Sequence, residues 1–129
     1  MVNAGGRYDP AMVTQDRVRQ LALRLPEAAE LPHFDRPSFR VRGKIFATMP
    51  PGPETMVVRL PADRRALLIE VEPAVFSLTP WTAGGWTRVD LGRIDDERLA
   101  ELLEASWRGV VPKRLAATLG TDWAGDWSG

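Results

Sequence analysis

The residues best suited to chemistry in this chain are basic. Arg36, Arg40, Arg42 and Lys44 fall within nine residues. The alternation from Ser38 to Arg42 places Arg40 and Arg42 on the face opposite Phe39 and Val41. If strand registers agree, Arg59 and Arg88 join that face, with Phe46 and Trp86 between them. Arginines interleaved with aromatic rings can neutralise phosphates and stack on bases, and a hairpin can lie in a groove. The same alternation equally provides a solvated face and a basic edge that resists strand-to-strand aggregation. A second basic group, Arg108, Lys113 and Arg114, surrounds Pro112. Arg108 suits the C-terminal dipole of a preceding helix. Lys113 and Arg114 stand in a first turn, where positive charge opposes the dipole, so they call for phosphate or for an internal acid such as Asp122 or Asp126.

Catalytic patterns are missing. His33 is the only histidine, and a histidine beside Phe34 at a strand entrance reads as a structural residue. Ser38 lies on a strand rather than at a nucleophile elbow, so no Ser-His-Asp site is expected. One histidine, no cysteine and scattered carboxylates make no zinc site. The Asp95-Asp96-Glu97 cluster reads as helix capping. Gly84-Gly85 leads into a strand rather than a helix, so no phosphate-cradling loop forms. Neither a metal nor a cofactor is expected.

The elements that must position these residues follow from periodicity. Thr14 caps a first helix in which Val18, Leu21, Ala22 and Leu25 recur at helical spacing before Pro26. Strands follow at Ser38–Arg42, Lys44–Met49 (Ile45 and Ala47 on a common face) and Met56–Leu60, the first two joined at Gly43. Pro50 to Pro53 forms a connection. A short helix runs from Pro61 to Ile69 and an irregular stretch from Pro73 to Pro80. A strand over Trp86–Leu91 precedes the longest helix, capped by Asp95 with Leu99, Leu102, Leu103 and Trp107 as its apolar stripe. Pro112 interrupts that helix and restarts it, and the restarted helix ends before Gly120. The order α-β-β-β-α-β-α-α predicts an α+β fold in two layers, an antiparallel sheet packed against helices with its other face more open. Residues 1–13 read as a lead-in, 14–119 as the domain and 120–129 as an irregular tail. Trp81, Trp86 and Trp107 are assigned to packing. Trp123 and Trp127 either fold back onto the domain or form a partner patch.

Composition sets the outer limits. The 129 residues suit one domain, and 44% hydrophobic with 26% charged residues is ordinary for a globular protein. Seventeen basic and seventeen acidic groups cancel, so binding to nucleic acid must come from uneven charge distribution rather than a global field. Fifteen of the seventeen cations are arginine, which favours forked contacts to phosphate or carboxylate. No apolar run approaches the ~20 residues that span a bilayer, and no signal-peptide core stands at the N-terminus. A cytoplasmic protein without a membrane partner is the expectation.

The segment PHFDRPSFRVRGKIFAT, from Pro32 to Thr48, resembles the signature of the YjbR-like family, also called MmcQ/YjbR. So do GWTRVDL from Gly85 to Leu91 and SWRGVVPKRL from Ser106 to Leu115. His33, Phe34, Pro37, Ser38, Phe39, Phe46, Trp86 and Pro112 carry the likeness, which spans roughly residues 14 to 117. The resemblance implies a secretion-chaperone-like α+β fold with a curved antiparallel sheet. It also implies DNA binding, a property attached to the family through its double-wing shape, and supplies no catalytic residues.

The expectation is a non-enzymatic module that holds DNA weakly through phosphate contacts from Arg36, Arg40, Arg42, Lys44, Arg59, Arg88, Lys113 and Arg114. The alternatives are a protein-interaction or self-associating module, for instance a homodimer, and an enzyme whose cleft joins His33 to a distant carboxylate.

Overall fold

The computed structural model describes residues 13–51, 54–80 and 84–125. The expectations for residues 1–12, the centre of the proline-rich connection, Trp81, Asp126 and Trp127 lie outside them.

Thr14 starts helix α1 (Gln15–Ala22), its side chain accepting from the Arg17 backbone N–H. Six strands follow in one antiparallel sheet: β1 (Ala28–His33), β2 (Arg36–Val41), β3 (Lys44–Thr48), β4 (Thr55–Arg59), β5 (Phe76–Leu78) and β6 (Trp86–Asp90). Their spatial order is β1-β2-β3-β4-β6-β5. Helix α2 (Ala62–Val71) connects β4 to β5. Helix α3 (Asp96–Arg108) follows β6 after one tight turn, and α4 (Lys113–Ala116) follows α3. The Asp95 carboxylate caps α3 by accepting from the Arg98 N–H. Among the described residues, no helix is long and apolar enough to cross a membrane.

Two of these strands are absent from the sequence-derived order. β1 reads Ala-Ala-Glu-Leu-Pro-His, a composition poor in strand formers. It exists because β2 pairs with it over its full length, and as an edge strand it tolerates Pro32. β5 is three residues between prolines and is defined by its pairing to β6.

Helices α1 and α3 cover one face of the sheet. Val18, Leu21, Leu99, Leu102, Leu103 and Trp107 meet Phe39, Val41, Met56, Val58 and Val89 in the core. The register contains one irregularity with large consequences. Phe39 pairs with Ala47 while Arg40 pairs with Ile45, which leaves Phe46 unmatched in a β-bulge. Phe46 and Ala47 are therefore both buried in the core, and Ile45 stands on the opposite face. This corrects two expectations: Ile45 and Ala47 do not share a face, and Phe46 does not stand among the arginines.

Ser106 of α3 closes the gap that the bulge opens. Its hydroxyl donates to the Phe46 carbonyl at 2.5 Å and accepts from the Arg59 N–H at 2.9 Å. The paired positions between β3 and β4 are Ala47 with Val58 and Thr48 with Val57, so Ser106 satisfies the backbone where these strands diverge.

Ion pairs tie the layers together. Arg19 forks onto Glu30, joining α1 to β1. Arg98 forks onto Glu72 while its guanidinium lies 5.3 Å from the Phe76 ring centre. Hydrogen bonds from Arg98 hold the Glu72 carboxyl below its ordinary value, partly opposed by desolvation. A depressed folded-state value stabilises the fold above the unfolded carboxylate range, and that contribution disappears as pH falls through the folded value. Both side chains are about one-third exposed, so solvent screening keeps the contribution below ~1 kcal/mol. Thermal melts of wild type and Glu72→Gln should differ by that small margin at neutral pH and converge as pH falls through the lowered folded-state value of Glu72. A gap that widens in acid would contradict this assignment.

The segment after α4 folds back. Trp123 donates its indole N–H to Glu104 at 2.9 Å, Ala124 is buried, and Arg24 donates to the Ala124 carbonyl. Trp123 thus serves packing rather than display.

Candidate functional site

The face of the sheet turned away from α1 and α3 carries the site. Register defines its middle row as Leu31, Ser38, Thr48, Val57, Arg88 and Ser77, strand by strand from β1 to β5. The neighbouring row on one side holds Ala29, Arg40 and Ile45, then Arg59 and Trp86. His33 and Arg36 pair on the other side, at the end of the β1–β2 hairpin.

A basin of ≈ 380 Å³ opens on this face, lined among the described residues by His33, Phe34, Arg36, Ile45, Thr48, Val57 and Trp86. Ile45 and Val57 make an apolar floor, Thr48 adds a hydroxyl, Trp86 stands on one side and the β1–β2 turn on the other. In that turn Phe34 has φ 60° and is 92% exposed. A bulky side chain in the left-handed region is rare, and an exposed phenyl ring gains nothing from burial. Its ring meets His33 edge-on, with centroids 4.7 Å apart. Both features cost free energy in the isolated domain.

The wall is held by an unusual hairpin. Pro32 faces Pro37 across the β1–β2 ladder, and neither has a backbone N–H to give. Side chains replace the missing donors. Ser38 donates its hydroxyl to the Leu31 carbonyl at 2.7 Å, while Arg40 donates to Ser38 Oγ at 3.0 Å and to the Pro32 carbonyl at 3.3 Å. Pro37 and Ser38 thus have structural tasks within the signature segment. So do the buried Phe39 and Phe46, and Pro112, whose carbonyl accepts the Ala116 N–H of α4.

The predicted basic residues separate into groups. Arg36 lines the basin, 3.8 Å from Asp35. Arg40 latches the hairpin. Arg59 donates to the Gly84 carbonyl at 3.0 Å, and Arg88 pairs across from Val57 and Ser77 on the same face. Arg42 belongs elsewhere. With Gly43 it forms the two-residue turn between Val41 and Lys44, both at positive φ (52° and 83°), as a type I′ hairpin requires. Its guanidinium forks onto Glu27 at 2.8 and 3.0 Å. This pairing holds the Glu27 carboxyl low and the Arg42 group high. The β2–β3 tip therefore offers Lys44 as its cation without a carboxylate partner among the described residues. Arg114 shares a surface groove with Glu27 and Arg42. Lys113 and Arg114 are exposed and form no ion pair with Asp122, because Trp123 and Ala124 draw the tail toward Glu104 and Arg24.

Sequence reasoning named His33, Phe34, Arg36 and Trp86 but missed the floor. One signal for it existed: Val57 alternates with Arg59, which puts an apolar residue on the arginine face. Among the described residues, no three metal-ligating side chains cluster, and no carboxylate lines the basin beside His33.

Comparison with known proteins agrees with this architecture. A comparison with curated proteins gives no match. The crystal structure of a Deinococcus radiodurans protein with a DUF419 domain is similar at 22% identity and a TM-score of 0.66, covering 83% of this chain and 90% of that one. At that identity the likeness concerns the fold. The YjbR family model matches residues 23–109, which contain both hairpins, the basin and all of α3; by that match over most of its length, the chain belongs to the YjbR family.

Proposed function

We propose that this domain is a non-enzymatic module that binds single-stranded nucleic acid across the open face of its sheet. The observation that carries the reading is one surface holding Arg36, Arg40, Arg59 and Arg88 around a recess walled by Trp86 and the His33–Phe34 turn. Phosphates meet the guanidinium groups and bases lie over the rings, the combination that single-strand binders use. Carboxylates are few there. Asp35 lies near Arg36, and Asp90 is paired with Arg93. Neutralisation of Arg42 by Glu27 weighs against a duplex groove read by the β2–β3 tip. A recess favours bases already free of a duplex.

Three to four phosphate contacts on a single strand give a log–log salt slope of about −2 to −3. Fluorescence anisotropy of a labelled oligo-dT strand should give that slope for wild type. Arg88→Gln should make it shallower by about 0.7, whereas Lys113→Gln should leave it unchanged. Absence of binding in low salt, or equal losses from both variants, would end the proposal.

A further inference from the structure

We infer that the basin is a pocket for one unstacked nucleobase, with the Thr48 hydroxyl and the His33 ring as the groups that meet its polar edge. This deepens the single-strand reading and rests on it. The argument begins with Thr48, which is 8% exposed and lines the basin. Its hydroxyl has no hydrogen-bond partner among the described residues. Thr48 faces the open basin, so solvent or a ligand meets the hydroxyl that no described residue does. Valine, of the same shape and well suited to a strand, would fill the site equally well. A ligand that pairs with the hydroxyl gives the threonine a task.

The surroundings define what that ligand must be. Its volume, ≈ 380 Å³, lies at the small end of the range for ligand pockets. Ile45 and Val57 supply an apolar floor, and aromatic rings stand on two sides, so the occupant presents flat, weakly polar faces. The nitrogens of His33 also have no hydrogen-bond partner among the described residues. Imidazole and hydroxyl can each donate or accept, which suits the mixed donor–acceptor edge of a base. Arg36 in the same wall, with Arg88 in the next row, places positive charge where the attached phosphates would run. The left-handed backbone and exposed ring of Phe34 are then explained as one side of a stacking slot. An aromatic side chain from an acidic peptide would meet the same walls, but it brings at most one polar atom to the hydroxyl and the imidazole, where a base edge brings several.

The test compares a labelled oligo-dT strand with a strand of the same length made entirely of abasic residues. Wild type should bind the abasic strand roughly tenfold more weakly, the order of one lost base stack. Thr48→Val should weaken oligo-dT binding by about five- to tenfold while leaving abasic binding and the salt slope unchanged. Its thermal stability should equal or exceed that of wild type, which separates a lost contact from a damaged fold. Trp86→Leu, a second variant, should likewise remove the preference for the strand with bases. Equal binding of the two strands by wild type, or no effect of Thr48→Val, overturns the pocket while leaving the phosphate-binding face intact. Failure of both strands to bind overturns the pocket and the phosphate-binding face together.

Discussion

Replacing Trp107 by alanine should lower the stability of the fold by about 4–6 kcal/mol, the largest loss expected from a single substitution in this protein. Trp107 is completely buried on α3, between that helix and the sheet, and its indole N–H donates to the Pro26 carbonyl at 3.1 Å. Truncation of a buried Phe or Trp to Ala costs about 3–5 kcal/mol through lost transfer energy and the cavity left behind. The orphaned carbonyl adds about 1 kcal/mol or more. A domain of this size has about 5–15 kcal/mol to lose, so the loss is about a third of the whole or more. Trp107→Phe separates the two contributions, keeping much of the volume while losing the hydrogen bond. Urea denaturation should rank the proteins wild type, Trp107→Phe, Trp107→Ala. An alanine variant within ~1 kcal/mol of wild type would show that the core collapses around the gap, contrary to its packing.

Ser106→Ala should have the second largest effect, although it removes a single oxygen atom. That oxygen serves the Phe46 carbonyl and the Arg59 N–H together. The bond to the Phe46 carbonyl is buried and the bond from the Arg59 N–H is partly so. A buried backbone group left without a partner costs about 1–3 kcal/mol and a half-buried one less, so a loss of about 2–4 kcal/mol is expected. The consequence extends to the basin. The bulge at Phe46 is what sends Ile45 to the floor, and Ser106 satisfies the bulge carbonyl from the helix side. Amide hydrogen exchange should locate the damage at Arg59 and its neighbours on β3 and β4, rather than in α1. Loss below ~0.5 kcal/mol would mean that water or a direct bond between the two strands replaces the hydroxyl. Ser106 and Trp107 are adjacent in sequence and sit in one packed layer, so a double variant need not show the sum of their effects.

These two residues open the third signature segment, and their tasks explain much of why its pattern is readable. The segment needs a serine to reach two strands and a tryptophan to fill the core and bond to the α1–β1 connection. The first segment divides in the same physical terms. Pro37 and Ser38 build a hairpin with side-chain donors, Phe39 and Phe46 fill the core, and His33 and Phe34 stand at the hairpin end and line the basin.

What the sequence determined by itself is local. Thr14 and Asp95 cap α1 and α3 because a cap depends on a hydroxyl or carboxylate within three residues of an unpaired N–H. The turn at Arg42-Gly43 and the alternation along β2, β4 and β6 are legible for the same reason, since period and turn chemistry are written in neighbouring residues. Only the tertiary structure decided the rest. β1 and β5 became strands because a neighbour supplied their hydrogen bonds, against their composition. The bulge moved Phe46 to the core and Ile45 to the open face, a shift that no single strand records. Glu27 neutralised Arg42 from 15 positions away in the chain, and Ser38 drew Arg40 into the hairpin. Thr48 looked like any strand threonine until folding set it in the basin lining, with no hydrogen-bond partner for its hydroxyl among the described residues. A charge or a hydroxyl acquires meaning from what surrounds it in space, and in this protein those surroundings come from other strands and helices.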